Sequence, residues 1–151
     1  MSELYVEVPG LPLPQGSKKI GTYKVAGVVR RSIIDTNPRL AQWRMQITNY
    51  TRQEMAEWGE WPFDGPASVH ITFHMPRPLS HYGTGRNAHL LKPSAPEYPT
   101  HAPDLDKMIR AILDGCTDAG VWRDDAQVVD IWACKRYAVL APGAHFKVRP
   151  L

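Results

Sequence analysis

Apolar and polar residues alternate twice along the chain with the period of a half-buried strand. Leu4, Val6 and Val8 are separated by Tyr5 and Glu7, and Pro9-Gly10 ends the run. Val69, Ile71, Phe73 and Met75 alternate with Ser68, His70, Thr72 and His74, which predicts a strand with one wet face. His70 and His74 share that face about 13 Å apart, too far for one metal ion, and read as solvated polar positions. Thr22 to Arg30 predicts a second strand weakened at Gly27, Val128 to Tyr137 a buried strand, and Ala144 to Val148 a last short one. Helical spacing also appears twice. Leu40, Trp43, Ile47, Tyr50 and Trp58 recur at three- to four-residue steps after a Thr36-Asn37-Pro38 start signal, with Gly59 and Pro62 as the stop. This stripe reads as core. Leu105, Met108, Ile109, Ile112 and Leu113 form the second stripe, with Asp104 as N-cap after Pro103, Gly115 as the stop and a turn through Thr117 to Gly120. Between these elements, Pro12 to Gly21 reads as a loop carrying Lys18 and Lys19. Residues 76–103 read as an irregular arm containing Tyr82-Gly83-Thr84-Gly85-Arg86-Asn87.

The 151 residues make one domain, residues 1–151, and 43% apolar with 22% charged residues excludes wholesale disorder. No stretch near 20 apolar residues is present, so no membrane span is expected, and Met1-Ser2-Glu3-Leu4-Tyr5 lacks the layout of a signal peptide. Cys116 and Cys134 make neither a disulfide framework nor a zinc pattern and suit a reduced cytoplasmic compartment.

Charge changes the picture more than composition does. Residues 104–130 hold seven acids, Asp104, Asp106, Asp114, Asp118, Asp124, Asp125 and Asp130, against Lys107, Arg110 and Arg123. This island is at −4 in a chain of +3, so the remainder is at +7. Lys18, Lys19, Lys24, Arg30 and Arg31 lie in a stretch without acids, as do Lys135, Arg136, Lys147 and Arg149. Basic surroundings attract a polyanion, whereas the island repels phosphate unless a divalent cation lies between them. Asp104 and Asp106 can converge because the first is still extended where the helix begins. One of Asp124 and Asp125 should face that helix start from the mouth of the following strand. Carboxylate oxygens with water in the open positions suit Mg²⁺ or Mn²⁺. Each piece also has a plain reading: Asp104 as a cap, Asp106 as a favourable first-turn charge, Asp124-Asp125 as a turn.

Taken together, Pro103-Asp104-Leu105-Asp106 and Asp124-Asp125-Ala126-Gln127-Val128-Val129, joined by an amphipathic helix, resemble the RusA-like Holliday junction resolvases, a family of bacterial and phage endodeoxyribonucleases. The resemblance is strong over residues 103–130 and looser over the flanking strands and the arm. It implies a compact α+β fold, a mixed sheet packed by two main helices. It further implies a Mg²⁺-dependent homodimer in the bacterial or phage-infected cytoplasm that cuts four-way DNA junctions with paired symmetric nicks, with Mn²⁺ as the alternative ion. The family's metal-binding carboxylates fall on Asp104, Asp106 and Asp125, and its assisting base falls on Arg110, where lysine is usual. Lys107 stands where the family commonly has asparagine, and His101-Ala102 replaces the basic residues that often precede the first aspartate. Lys18, Lys19, Arg86, Lys92 and Lys107 are the expected DNA contacts. Two other readings remain open: a branched-DNA binder without catalysis, and a metal-dependent hydrolase of nucleotides or small phosphoesters, which would want an enclosed pocket.

Overall fold

Strand β1 (Leu4–Pro9) buries Leu4, Val6 and Val8 and turns Tyr5 and Glu7 outward, as its alternation requires. A hairpin of β2 (Lys19–Val25) and β3 (Val28–Ile34) follows. Then come α1 (Leu40–Glu57), β4 (Ala67–Met75), the arm, α2 (Leu105–Ala119), β5 (Val128–Tyr137) and β6 (Gly143–Pro150). This computed structural model describes residues 3–16, 19–34, 39–57 and 59–151.

Four strands form one mixed sheet in the order β1-β6-β4-β5, antiparallel except for the parallel β4–β5 pair. A parallel neighbour needs a crossover, and the arm with α2 supplies it. One sheet face carries Val69, Ile71, Phe73, Phe146 and Val148 into the core, where Leu40, Trp43 and Ile47 of α1 and Met108, Ile112 and Cys116 of α2 join them. The chain is an α+β protein of one compact domain, with the hairpin as a separate two-stranded sheet.

Several local expectations change. The single strand expected over Thr22–Arg30 is a hairpin, turned at Ala26 and Gly27 with φ of 51° and 79°. Two successive positive φ values match the twist of tight hairpins, so the glycine is the corner rather than a weak point. Gly115 does not stop α2. It lies buried inside it, and a Cβ there would stand 2.5 Å from Ile47 Cγ2, so its missing side chain lets α1 and α2 approach. The helix runs through Thr117 and ends at Gly120, whose φ of 87° turns its N–H back to the Cys116 and Thr117 carbonyls. Strand β5 is an edge strand with Val129, Ile131 and Trp132 exposed, not a buried one. In the α1 stripe Leu40, Trp43 and Ile47 are buried, Tyr50 is 36% exposed and Thr51 takes the next core position. The expected start signal Thr36-Asn37-Pro38 and Trp58 lie outside the described residues. Cys116 is buried and Cys134 half-buried, both as free thiols, and burial pushes the Cys116 thiol up. No helix among the described residues is long and apolar enough to cross a membrane.

Candidate active site

The approach to α2 is fixed from β5. Lys135 Nζ donates to the carbonyls of His101 at 2.7 Å and Pro103 at 3.0 Å. Asp104 takes the N-cap position with extended backbone, and its carbonyl accepts from Met108 N. Its carboxylate, however, makes no capping hydrogen bond. It stays 62% exposed, with Oδ2 3.3 Å from Lys107 Nζ. The expected cap is therefore only a backbone cap, and the side chain is left to do something else. Asp106 lies exposed in the first turn and has no hydrogen-bond or ion-pair partner among the described residues. The helix dipole favours negative charge at this end. On the core side Gln15 N donates to the Lys107 carbonyl at 3.0 Å, while Gln15 Oε1 is buried without a partner among the described residues.

The third acid comes from the connection between α2 and β5. Trp122 is buried there, its Nε1 donating to Thr117 Oγ1 at 2.8 Å and its ring meeting Phe63 edge-on. Asp124 then caps a 3₁₀ turn, Asp125–Gln127, with a reciprocal arrangement. Its Oδ1 accepts from Ala126 N at 2.8 Å, and Gln127 Oε1 accepts from Arg123 N and Asp124 N at 2.9 and 3.3 Å. The Gln127 amide also donates to the carbonyls of Phe63 and Gly65. The adjacent acids thereby separate. Asp124 is spent on the turn, and Asp125 is exposed with no hydrogen-bond or ion-pair partner among the described residues.

One face of α2 links the two parts, because Asp106, Arg110 and Asp114 follow at four-residue steps. The pKa of Asp114 is raised by partial burial, against the pull of Arg44, and further by the negative charges of Asp125 and Asp118; Arg110 works the other way. Asp125 and Arg110 are thus both within electrostatic reach of Asp114. A carboxyl with a raised folded-state pKa adds stability below its ordinary range and loses it as pH rises through that pKa. Asp114→Asn should accordingly raise the melting temperature at neutral pH and change it less near pH 3, a difference that thermal scans at both values would reveal.

The donors at Asp104, Asp106 and Asp125 are all carboxylate oxygens, the chemistry that Mg²⁺ and Mn²⁺ prefer, and the set fits such an ion on that ground. Among the described residues no three His, Cys, Asp or Glu side chains are grouped closely enough to hold a metal ion. The acids stand as a pair at the start of α2 and a third on the following turn.

The arm is folded rather than irregular throughout. It contains 3₁₀ turns at Leu79–His81 and Gly85–Asn87 and a bridge between Tyr82 and Leu91. It is moored to the end of β5, where the Arg77 guanidinium lies 4.0 Å from the Tyr137 ring centre and the His81 ring meets that ring edge-on. The His81 pKa is lowered by desolvation and by the positive charges of Arg77, His101 and Lys92. Arg86 and Lys92 are exposed on this arm. Lys19 opens β2, and Lys18 lies outside the described residues. Sequence reading gave no role to Lys135 and placed Asp114 on the face of Asp106 and Arg110 without assigning it one. Nothing local marks Lys135, but the four-residue spacing from Asp106 through Arg110 already pointed to Asp114.

The family model described as Endodeoxyribonuclease RusA matches residues 9–149 of the chain. No curated protein matches it.

Proposed function

The chain belongs to the RusA family of endodeoxyribonucleases, which resolve Holliday junctions, and we propose on that footing that it acts as a Mg²⁺-dependent homodimer making paired symmetric nicks in four-way DNA. The observation that supports this most is the division of labour between Asp124 and Asp125, since the family's metal-binding acid falls on the one whose carboxylate has no partner among the described residues. Asp104, Asp106 and Asp125 would hold the ion. Bound there, Mg²⁺ or Mn²⁺ supplies charge neutralisation at the scissile phosphate and lowers the pKa of a water molecule. Arg110, exposed on the α2 face that carries Asp106, meets the negative charge that develops on the phosphate, and its guanidinium stays protonated. Lys107 restrains Asp104 and adds a cation for the DNA backbone, a task shared with Lys18, Lys19, Arg86 and Lys92. The acids are exposed, which suits a polymer arriving from solvent better than a small enclosed substrate. Two-fold symmetry of a dimer would match the paired strands of the junction.

Cleavage of a mobile four-way junction, with both nicks mapped, tests this reading. Symmetric nicks on opposing strands are expected, with little turnover of nucleotides or plain duplex. Binding without cleavage, or hydrolysis confined to nucleotides, would replace it with one of the two other readings. The Lys135 contacts give a second expectation. Lys135→Met frees the turn before Asp104, and a misplacement near 1 Å costs about 100-fold in rate. Single-turnover cleavage should slow by about 10- to 100-fold while junction affinity stays nearly constant.

A further inference from the structure

The sheet face turned away from the helices carries a second set of ligand atoms, unrelated to the α2 acids. His74 Nε2 of β4 and His145 Nδ1 of β6 are hydrogen-bonded at 3.1 Å, with ring centres at 5.0 Å, and a metal ion would take the place of the proton they share. Two nitrogens bound to one ion at about 2.0–2.1 Å each must stand about 2.8–3.4 Å apart for angles between octahedral and tetrahedral. The pair already has that spacing. Glu7 of β1 is directly opposite His145 in the antiparallel register, where Cβ atoms are about 4.5–5.5 Å apart. The Tyr5 hydroxyl donates to Glu7 Oε1 at 2.7 Å in this rotamer. Glu7, Tyr50, His74 and His145 line a cleft of about 450 Å³ with no lysine or arginine in its wall among the described residues, the nearby Lys147 lying over the Tyr5 ring instead.

We propose that His74, His145 and Glu7 form a binding site for a borderline divalent transition-metal ion, of which Zn²⁺ is the representative, with its remaining positions open to the cleft. The two imidazoles are preplaced; Glu7 is not grouped with them in this conformation and would join by a rotamer change that gives up its Tyr5 hydrogen bond. A site of two nitrogens and one carboxylate selects against Mg²⁺, so this centre would not compete for the ion of the nuclease site. It rests on no part of the nuclease reading.

Zn²⁺ affinity of the full chain, measured by competition with a chromogenic chelator, tests the site. One equivalent should bind, and His74→Gln and His145→Gln should each weaken it by at least about tenfold, with a smaller loss for Glu7→Gln. His70→Gln, on the same face but outside the pair, should match wild type. Unchanged affinity in both His74→Gln and His145→Gln would overturn the proposal, as would loss of the Zn²⁺ equivalent in Asp106→Asn. Wild-type protein gives an independent reading that does not depend on variants folding. On Zn²⁺ addition the imidazole ¹⁵N resonances of His74 and His145 should shift and those of His70 should not, and the opposite pattern would exclude the site.

Discussion

Replacing Asp125 by asparagine is expected to reduce junction cleavage by about 10³-fold or more, equivalent to about 4 kcal/mol of transition-state stabilisation, with junction binding retained. The change keeps shape and volume but removes the charge needed to hold a divalent cation. Asp106→Asn should behave alike, since Asp106 too has no competing partner among the described residues. Asp124→Asn separates chemistry from architecture. An asparagine side chain can still accept from Ala126 N, so this variant should keep most of its cleavage activity. Electrophoretic binding assays and single-turnover cleavage on the same preparations would check all three. Equal losses at positions 124 and 125 would mean that the pair acts through the turn rather than through one carboxylate.

The largest structural effect is expected at Trp122. It is 2% exposed, donates to Thr117 Oγ1 and packs edge-on against Phe63, so it ties the end of α2 to the 3₁₀ turn that presents Asp125. Trp122→Ala removes one of the largest fully buried side chains and should cost about 3–5 kcal/mol. Chemical denaturation would register that loss, and Trp122→Phe should recover much of it because the Phe63 contact survives. Cleavage by Trp122→Ala should suffer even where the protein remains folded, because the turn loses its anchor.

The parts of this molecule that were legible in its sequence are those governed by local rules. Period-two alternation placed β1 and β4, helical spacing placed the core faces of α1 and α2, and the acids around α2 pointed to its two ends, whereas the choice of Asp125 over Asp124 came only from the family resemblance. Local rules also distinguish the two adjacent aspartates. Asp124-Asp125-Ala126-Gln127 has the spacing of a capping box, which already distinguishes a structural first aspartate from a free second one. What sequence could not give depended on long-range pairing. His74 and His145 are 71 residues apart and meet only because β6 lies beside β4. Lys135 reaches the start of α2 across 32 residues. The exposed edge position of β5 likewise follows from strand order, which an apolar run does not specify. Gly115 shows the same limit in reverse: a helix stop by local preference becomes a helix interior because Ile47 needs the space.

The central claim is that Asp104, Asp106 and Asp125 act together on one hard divalent ion, and Mn²⁺ titration of the junction-bound protein followed by electron paramagnetic resonance addresses it most directly. Wild type and Asp124→Asn should take up the ion with similar affinity, whereas Asp106→Asn and Asp125→Asn should each lose it. Retention of wild-type Mn²⁺ affinity by both of the latter variants would contradict the claim.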